Sequence, residues 1–486
     1  MDLKQVLKDL SYTLIQGSLD TTIIGVEYDS RAVKKQSLFV AIEGYATDGH
    51  KYIEVAIENG ASTIVLEKTF DYRSFPDVTF IEMANTRRGL AQISSNFFGN
   101  PGQDITVFGV TGTNGKTSIT YLLKHILKNV GSKVGVVGTI ENQIGEAIVP
   151  SEVTTPESRD LQYLLRRMVD EGCNYCVMEA SSHALYLDRV YGVPFSAGIF
   201  TNLTQDHLDF HDSLESYLEA KKILFHSLKE DGFAVINFDD PASESILKDY
   251  QGKYVTYGIH KSCDFRAENI VMDLFGTRYE LNYNGYKLTV HLKLIGEFSI
   301  YNSLGAIATA LTYGLPADKV LEGVSQVTVN GRFQLVDGAK DFAVVVDYAH
   351  TPDGLLNVLQ TGRKLTAGRV IGVFGCGGDR DKKKRPIMGR IGGENSDIVI
   401  ITSDNPRTED PDSIINMIEV GVQEVNNNYY KIENRKEAIK KAIEIARKDD
   451  IIIIAGKGHE DYQILGKTKY PFSDVEIAKK ILEKVD

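Results

Sequence analysis

Apolar and polar positions alternate along the chain in a way that predicts short buried strands followed by amphipathic helices. The β-branched run over residues 104–110 (DITVFGV) predicts a buried strand, and the glycine-rich segment 112–118 (GTNGKTS) follows it directly. Apolar residues then recur at helical spacing over residues 118–130. A strand, a glycine-rich turn and a helix in this order are typical of a phosphate-binding loop.

The residue types within this turn fit the same interpretation. Gly112 and Gly115 would let backbone N–H groups approach a polyphosphate, Lys116 would reach its β- and γ-phosphates, and the Thr117 hydroxyl would bind Mg²⁺. The segment departs from the strict GxxxxGK[ST] pattern, because Val110 takes the place of the first glycine. An ordinary turn has no need of a Lys-Thr pair, so a phosphate loop is the favoured interpretation.

The distribution of strands and helices predicts an α/β protein of three domains, which suits a length of 486 residues at about 100–200 residues per domain. Residues 1–100 form a small α/β domain that ends at the turn signal Asn100-Pro101-Gly102. Residues 101–330 contain the phosphate loop and predict a doubly wound, P-loop-type sheet. Residues 331–486 predict a Rossmann-like domain, in which four strands each end in a polar or glycine-rich loop at one shared rim.

Composition narrows the class of protein. The net charge of −12 and the pI of about 5.4 argue against nucleic acid as the main partner. We expect a cytoplasmic protein, since no apolar run approaches the roughly 20 residues of a membrane span and residues 1–10 lack a signal-peptide layout. Cys173 and Cys176 have CxxC spacing, but they lead into an apolar strand and are predicted to be structural.

Polar residues at two predicted strand ends indicate a metal site. Glu179 ends one strand, and His207 follows another within the segment 201–211 (TNLTQDHLDFH), which also contains Asp206, Asp209 and His211. Glu179 and His207 beside Thr117 would form a Mg²⁺ site of hard oxygens and one imidazole. The alternative is that Asp206 and His207 cap the next helix. For His211, a structural role is as plausible as a functional one.

The helix predicted over residues 214–228 has a lysine, Lys221, in its apolar stripe, whereas Lys222 is predicted to face water. A buried, isolated ammonium is costly. Lys221 could extend its amine to the surface, pair with a phosphate, or stay neutral and react with CO₂ to give a carbamate, which is an oxygen ligand for a metal. The residue pattern alone leaves these three interpretations open.

A series of further motifs resembles the Mur ligase family along essentially the whole chain. The motifs are DSR (29–31), GTNGKTS (112–118), TTPE (154–157), MEASSHAL (178–185), TNLTQDHLDFH (201–211), EAKKILF (219–225), LIGEFSIYN (294–302), NGRFQ (330–334), DYAHTPD (347–353), GGDRD (377–381), DNPRTEDP (404–411) and AGKGHEDYQ (455–463). The resemblance implies an ATP-dependent amide ligase of peptidoglycan precursor synthesis. It also implies an N-terminal domain for the UDP part of the substrate, a central ATPase domain and a C-terminal domain for the added amino acid.

The resemblance also implies a role for individual residues. ATP would be bound by Gly112, Thr113, Asn114, Gly115, Lys116, Thr117, Ser118, Asn302, Arg332 and Asp347, with Asn302 at the adenine. The UDP-substrate would be held by Ser30, Thr154, Thr155, Ser182 and Arg189. Lys116, Glu179, His207 and Lys221 would be catalytic, and Lys221, as a CO₂-derived carbamate, would join Thr117, Glu179 and His207 at Mg²⁺. Leu187 stands where the family often has a glutamine, so one substrate hydrogen bond lacks its usual side chain.

Charged residues at the rim of the C-terminal domain predict a site for a zwitterion. The candidate amino-acid-binding residues are Arg380, Asp404, Asn405, Pro406, Arg407, Gly456 and Glu460. Arg407 predicts meso-diaminopimelate rather than L-lysine, because these amino acids differ by one carboxylate and an arginine fork pairs a carboxylate through two hydrogen bonds. We therefore expect addition of meso-diaminopimelate to UDP-N-acetylmuramoyl-L-alanyl-D-glutamate through an acyl-phosphate.

Other functions fit parts of the sequence. They are an L-lysine-adding relative, a folylpolyglutamate synthase-like ligase, and a non-catalytic ATP-gated module. The folate enzyme is not expected to carry DNPR or a UDP-binding first domain, and intact Lys116, Glu179, His207 and Lys221 speak against a non-catalytic module. The expected partners are ATP, the UDP-substrate and the amino acid. We expect the protein to be a monomer that neither binds nucleic acid nor inserts into a membrane.

Overall fold

The structure is a computed structural model that describes residues 1–44, 47–151, 153–207, 210–339 and 341–484. In this part of the chain, three large sheets follow one another along the sequence, over residues 13–82, 106–292 and 334–455. Helices cover these sheets, so the predicted α/β class is confirmed. Among the described residues, the structure has no helix with the length and apolarity needed to cross a membrane.

The N-terminal sheet has the strand order β1-β5-β4-β3-β2, in which β1 is antiparallel to β5 and the other neighbours are parallel. Its strands are β1 Thr13–Gln16, β2 Gly25–Glu27, β3 Ser37–Val40, β4 Ala61–Leu66 and β5 Thr79–Glu82. Its helices are α1 Leu3–Val6, α2 Ile53–Glu58 and α3 Thr86–Phe97. Two apolar clusters form its core, because strands such as β3 are buried on both faces.

The central sheet has the order β16-β15-β14-β13-β12-β11-β6-β10-β7-β8-β9. The strands are β6 Thr106–Thr111, β7 Val134–Val137, β8 Asn142–Ile144, β9 Ala147–Val149, β10 Tyr175–Glu179, β11 Phe195–Phe200, β12 Leu228–Asn237, β13 Lys253–Gly258, β14 Phe265–Asp273, β15 Gly276–Tyr283 and β16 Tyr286–Leu292. The helices are α4 Lys116–Asn129, α5 Ser158–Asp170, α6 Ser182–Tyr186, α7 Leu214–His226, α8 Ala242–Asp249, α9 Glu297–Thr312 and α10 Ala317–Ser325.

The parallel part of this sheet agrees with the sequence prediction, and antiparallel hairpins extend it on both sides. The strands β13, β12, β11, β6, β10 and β7 are parallel, whereas β14, β15 and β16 pair antiparallel with one another, as do β7, β8 and β9. β6 lies between β10 and β11. The loop that follows β6 is therefore flanked by the carboxyl ends of two neighbouring strands, where open α/β sheets bind ligands.

The C-terminal sheet has the order β17-β18-β22-β19-β20-β21, with β17 antiparallel to β18 and the rest parallel. Its strands are β17 Gln334–Leu335, β18 Ala343–Asp347, β19 Val370–Phe374, β20 Ile398–Ile401, β21 Tyr429–Lys431 and β22 Ile451–Ala455, and a separate hairpin has β23 Tyr462–Leu465 and β24 Thr468–Pro471. Its helices are α11 Pro352–Leu365, α12 Lys384–Asn395, α13 Pro411–Gln423, α14 Arg435–Ile445 and α15 Asp474–Leu482. The loops after β18, β22, β19 and β20 share one edge, as the sequence predicted.

Candidate active site

The phosphate loop connects β6 to α4 at the centre of the parallel sheet. Gly112 and Gly115 have φ angles of 144° and 89°, which strain other residues. A Cβ atom at Gly112 would lie 1.8 Å from Thr201 Oγ1, and one at Gly115 would lie 2.3 Å from Asn302 Oδ1. These two glycines are therefore required both by backbone conformation and by the close approach of β11 and α9.

Lys116 folds back over its own loop. Its Nζ donates to the carbonyl oxygens of Gly112 at 2.8 Å and Thr113 at 2.9 Å. Burial lowers the pKa of the Lys116 amine, and the nearby Glu179 carboxylate partly offsets this shift by raising the pKa. The loop carbonyls thus hold the ammonium at the place where a phosphate would be bound.

Glu179, at the end of β10, organises the oxygens beside this loop. Its Oε1 accepts from Thr117 Oγ1 and from the Thr139 N–H, both at 2.9 Å, and its Oε2 accepts from Thr139 Oγ1 at 3.0 Å. Strand β7 ends at Val137, and Thr139, two residues further on, is bound to Glu179. One carboxylate and two hydroxyls are hard oxygen donors that suit Mg²⁺. In the described ranges there is no cluster of three or more His, Cys, Asp or Glu side chains placed for a metal.

His207 and Lys221 both lie near the Tyr217 ring. Lys221 Nζ is 3.8 Å from the centroid of this ring, and the His207 ring centroid is 6.2 Å from it. Helix α7 is capped by Ser213 through a reciprocal capping box, so the alternative that Asp206 and His207 cap this helix is wrong. Asp209 lies outside the described residues.

Lys221 is buried, with 1% of its surface exposed, which rules out extension of its amine to the surface. Burial lowers its pKa well below the usual range, and the Lys116 ammonium lowers it further. The prediction that Lys222 faces water is wrong. Lys222 is 5% exposed and lies 2.7 Å from both Asp249 Oδ2 and Glu219 Oε1, because the end of α8 covers this side of α7.

A cavity of ≈ 330 Å³ joins the phosphate loop to the C-terminal domain. Of the predicted ATP-binding residues, it is lined by Asn114, Gly115, Ser118, Asn302, Arg332 and Asp347. Arg332 stacks on the Tyr348 ring at 4.6 Å and points Nη2 to Thr117 Oγ1 at 3.5 Å. Asp347 accepts the N–H groups of Phe333 at 2.6 Å and Ala349 at 2.7 Å, which fixes its carboxylate at the cavity wall.

The predicted residues for the UDP-substrate fall into two places. Ser30 is buried in a short 3₁₀ helix of the N-terminal domain, at the loop between β2 and β3. The others belong to the central domain. Thr155 Oγ1 donates to the Glu179 carbonyl at 2.7 Å, and Arg189 donates to the Thr155 carbonyl at 3.1 Å. Thr154 Oγ1 lies 3.0 Å from Thr139 Oγ1, and Ser182 Oγ lies 3.0 Å from His211 Nε2. His211 is thus buried against a predicted substrate residue.

Arg407 is held tightly at the rim of the C-terminal domain. It has a left-handed φ of 51°, its N–H donates to the Ile464 carbonyl at 3.2 Å, and its carbonyl accepts from the Gly466 N–H at 2.8 Å. Burial lowers the pKa of its guanidinium, and the neighbouring Arg380 lowers it further. Helix α13 is capped by Asp410, so Arg407 is not the cap. Its Nη1 donates to the Gly378 carbonyl at 2.7 Å, which leaves the other N–H groups of the guanidinium to pair with an anion.

The remaining rim residues surround Arg407. Asp404 Oδ2 is a buried oxygen without a hydrogen-bond partner in the part of the chain that the structure describes. Gly456, with φ of 122°, would place a Cβ atom 2.5 Å from this oxygen. Asn405 Nδ2 donates to Glu460 Oε2 at 2.9 Å, and Pro406 is buried between these groups and Arg407.

Two residues near these sites were missed. Asp353 accepts a hydrogen bond from Asn114 Nδ2 at 3.1 Å, across the two domains. Lys457 is fully buried under the amino-acid rim, which is formed by the candidate amino-acid-binding residues of the C-terminal domain. Asp353 ends the motif DYAHTPD in the first turn of α11, and Lys457 lies in AGKGHEDYQ, two residues after β22. The available signal was that each motif follows a buried strand of the C-terminal sheet.

A glycine-rich phosphate loop, a cavity shared with a second α/β domain and a charged outer rim define a three-domain protein of the phosphate-loop nucleotide-binding class. Comparison with known proteins specifies this class. Residues 22–98 match the family description "Mur ligase family, catalytic domain", residues 110–310 match "Mur ligase middle domain", and residues 331–458 match "Mur ligase, glutamate ligase domain".

Curated relatives match over the full length. A UDP-N-acetylmuramoyl-L-alanyl-D-glutamate--2,6-diaminopimelate ligase from Clostridium tetani is 49% identical, with 100% of both chains covered, and one of the same name from Clostridioides difficile is 46% identical, also with full coverage of both. A solved structure of that name superimposes with a TM-score of 0.71 at 31% identity, covering 100% of this chain and 99% of the other. The chain belongs to the Mur ligase family.

Structures of lower identity agree with the fold. The MurF ligase of Thermotoga maritima, in complex with ADP, has a TM-score of 0.63 at 20% identity and covers 94% of this chain and 98% of that one. A folylpolyglutamate synthase of Mycobacterium tuberculosis has a TM-score of 0.63 at 18% identity and covers 76% and 92%. These two similarities support the fold of this chain but do not indicate its substrate.

Proposed function

We propose that this enzyme joins diaminopimelate to the D-glutamate γ-carboxylate of UDP-N-acetylmuramoyl-L-alanyl-D-glutamate, with hydrolysis of ATP to ADP and phosphate. The observation that carries the proposal is the position of Arg407, whose N–H donates to the Ile464 carbonyl and whose Nη1 donates to the Gly378 carbonyl at 2.7 Å at the rim of the C-terminal domain. Diaminopimelate has a carboxylate at its far end, which the remaining N–H groups of the Arg407 guanidinium would bind, whereas lysine has no carboxylate at that position. The names and full-length identity of the relatives from two clostridial species support the same substrates.

The reaction would proceed in two steps. The substrate carboxylate oxygen attacks the γ-phosphorus, and ADP leaves, which gives an acyl-phosphate. The amine of diaminopimelate then attacks the acyl carbon, phosphate leaves and the nitrogen loses a proton. Lys116 would hold the β- and γ-phosphates. To do so, its Nζ would give up its hydrogen bonds to the carbonyls of Gly112 and Thr113 and donate to the phosphate oxygens instead. Arg332, stacked on Tyr348 and directed at Thr117, would hold the transferring phosphoryl group from the C-terminal side.

The oxygen set around Glu179 fits Mg²⁺, with Thr117, Glu179 and His207 as the residues that would hold it. Bound there, Mg²⁺ would neutralise charge on the phosphates during transfer. The protein's own part is to fix the Glu179 carboxylate through Thr117 and Thr139 before any ligand binds.

Lys221 would act as a carbamate. Its neutral amine would attack CO₂, which forms an N–C bond and releases one proton. Burial and the adjacent Lys116 both disfavour a Lys221 ammonium, whereas the same Lys116 charge would stabilise a carbamate anion. The Lys116 charge therefore destabilises a positively charged Lys221 and stabilises a negatively charged one, which supports the carbamate over an ammonium paired with phosphate.

The domain roles follow from these assignments. Residues 1–100 would hold the UDP part through Ser30, residues 101–330 would bind ATP, and residues 331–486 would present the amino acid through Arg380, Asp404, Asn405, Arg407, Gly456 and Glu460. The protein is expected to act in the cytoplasm as a monomer.

One assay tests the proposal against its rivals. Phosphate release from ATP is measured with UDP-N-acetylmuramoyl-L-alanyl-D-glutamate and either meso-diaminopimelate or L-lysine, and separately with folate and glutamate. We expect release and amide formation with meso-diaminopimelate. Activity on folate would favour the folylpolyglutamate synthase alternative, and no turnover with any set would favour a non-catalytic module.

A further inference from the structure

A buried lysine lies beneath the amino-acid rim and contacts two of its loops. Lys457 follows β22 and has no exposed surface. Its Nζ donates to Asn405 Oδ1 at 3.0 Å and to Glu460 Oε2 at 2.7 Å. A buried ammonium requires such partners, because its desolvation is costly. Lys457 therefore ties the loop after β20 to the loop after β22.

These contacts determine which way the Asn405 amide faces. Its Oδ1 accepts from Lys457 Nζ and from the Ile464 N–H, the latter at 2.9 Å. Both groups can only donate, so a flipped amide would place its NH₂ against two donors. The Nδ2 group, with two N–H donors, gives one to Glu460 Oε2. Among the described residues, the second is left for a ligand.

Glu460 is fixed by the same network. Its Oε2 accepts from both Asn405 and Lys457, and its Oε1 has no hydrogen-bond partner among the described residues, which leaves this oxygen for a bound group. Arg407 is clamped beside this network, because its backbone pairs with the strand that contains Ile464 and Leu465. The rim thus presents one acceptor, Glu460 Oε1, and two kinds of donor, the Asn405 amide and the Arg407 guanidinium, at fixed positions.

We propose that Lys457 is a positioning residue for the amino-acid substrate, and this inference rests on the function proposed above. Lys457 acts through Asn405 and Glu460 and does not touch the substrate itself. With Lys457 in place, Glu460 Oε1 faces the ammonium at the far end of diaminopimelate, while Asn405 Nδ2 and Arg407 face its carboxylate. Without Lys457, the Asn405 amide loses one of the two donors that orient it, and the Glu460 carboxylate loses its buried counter-charge.

The test compares Lys457→Met, which removes the donors at similar length, with the wild-type enzyme. The expected result is a KM for meso-diaminopimelate at least about tenfold higher, as for loss of a hydrogen bond to a charged group, with the KM for ATP and for the UDP-substrate within about twofold. The preference for meso-diaminopimelate over L-lysine should fall as well. Lys457→Arg, which keeps a charged donor, should recover part of the binding, and Lys467→Met, at an exposed lysine in the turn between β23 and β24, should change nothing.

Other results would overturn the proposal in distinguishable ways. If the wild-type enzyme uses neither amino acid, the proposed function fails and this inference fails with it. If the wild type is active and Lys457→Met raises all three KM values equally, Lys457 is structural only. If Lys457→Met does not fold, Asn405→Asp decides, because it keeps oxygen acceptors for Lys457 and Ile464 but has no N–H donor. A KM for meso-diaminopimelate that is unchanged in Asn405→Asp would refute the positioning role.

Discussion

The phosphate loop and the amino-acid rim satisfy their charged groups in opposite ways. At the loop, Lys116 is bound by the carbonyls of its own turn, and Glu179 accepts three hydrogen bonds from Thr117 and Thr139. At the rim, Asp404 Oδ2 is buried without a partner among the described residues, and Arg407 is desolvated beside another guanidinium.

This difference has a consequence for binding. A phosphate entering the loop exchanges one set of hydrogen bonds for another, so the loop can hold its shape without nucleotide. An amino acid entering the rim meets Asp404 Oδ2, which lacks a partner among the described residues, and the Arg407 guanidinium, of which Nη1 already donates to the Gly378 carbonyl at 2.7 Å. An amino acid without the matching charged groups would leave these hydrogen-bonding positions unused. We therefore expect changes at the loop to reduce turnover with every amino acid, and changes at the rim to reduce discrimination between amino acids.

The largest effect is expected at Lys221. Lys221→Ala removes the proposed carbamate beside Lys116, and kcat should fall on the order of a thousandfold, comparable to the loss of a group that stabilises transition-state charge. Acetate should restore part of the activity by supplying an oxygen ligand. Turnover is measured with and without acetate, at fixed bicarbonate.

Lys222→Ala provides the matched control on the same helix. Lys222 is paired with Glu219 and Asp249, so its loss should lower the melting temperature but leave kcat within about threefold, as for a partly exposed ion pair. Equal losses of kcat in the two variants would contradict a specific role for Lys221, and so would an unmodified Lys221 amine paired to phosphate in an active preparation.

The next effect concerns Glu179. Glu179→Gln keeps the size of the side chain and removes the carboxylate charge, so kcat should fall by roughly a hundredfold, as for loss of metal-site support. Binding of metal-free ATP, measured by calorimetry in the presence of a chelator, should change little. If metal-free binding weakens as much as catalysis does, Glu179 supports the loop and not a metal.

Much of the loop site could be predicted from sequence, because its residues lie on consecutive strand ends of one sheet. Glu179 was predicted to lie beside Thr117, and β10, which ends at Glu179, does flank β6. The antiparallel hairpins of β14–β16 were not predicted, although the turn between β15 and β16 is Asn284-Gly285, with the left-handed φ angles of 50° and 78° that suit a two-residue hairpin turn. The error at Lys222 has a tertiary cause: helical spacing gives a direction, but α8 covers that direction from elsewhere in the chain.

The rim was only partly predictable for a similar reason. Arg407 and Glu460 were singled out as charges at strand ends, and this follows from topology alone. The hydrogen-bond network under them depends on Lys457 Nζ reaching across to Asn405, 52 residues away in sequence, and no periodic pattern encodes such a contact. Burial of Lys457 separates it from ordinary surface lysines, and burial becomes visible only in the folded structure.

A change at the rim should affect discrimination in particular. Arg407→Ala should reduce kcat/KM for meso-diaminopimelate by about ten- to a hundredfold, the value of a hydrogen-bonded charge pair, and should leave kcat/KM for L-lysine nearly unchanged. The ratio of the two kcat/KM values is the measurement. Wild-type activity that is equal on both amino acids, or a ratio unaffected by the substitution, would be incompatible with the role of Arg407.

The smallest expected effect lies where the two regions meet. Asn114 is fixed in the loop by Thr201 and Asn202, and its Nδ2 donates to Asp353 Oδ2 at the start of α11. This hydrogen bond connects the C-terminal domain to the phosphate loop. Close contact between the two domains would exclude water and so protect an acyl-phosphate from hydrolysis.

Asp353→Ala should therefore increase the phosphate released per amide formed, because some acyl-phosphate would be hydrolysed before the amine arrives. Loss of one hydrogen bond of about 1 kcal/mol predicts a change of roughly fivefold in this ratio. Asp353→Asn keeps an oxygen acceptor for Asn114 and should stay close to the wild type, as should Gln360→Ala at an exposed position of the same helix. A ratio that rises equally in Asp353→Ala and Asp353→Asn would point to the charge of Asp353, not to its hydrogen bond with Asn114, as the element that couples the loop to the rim.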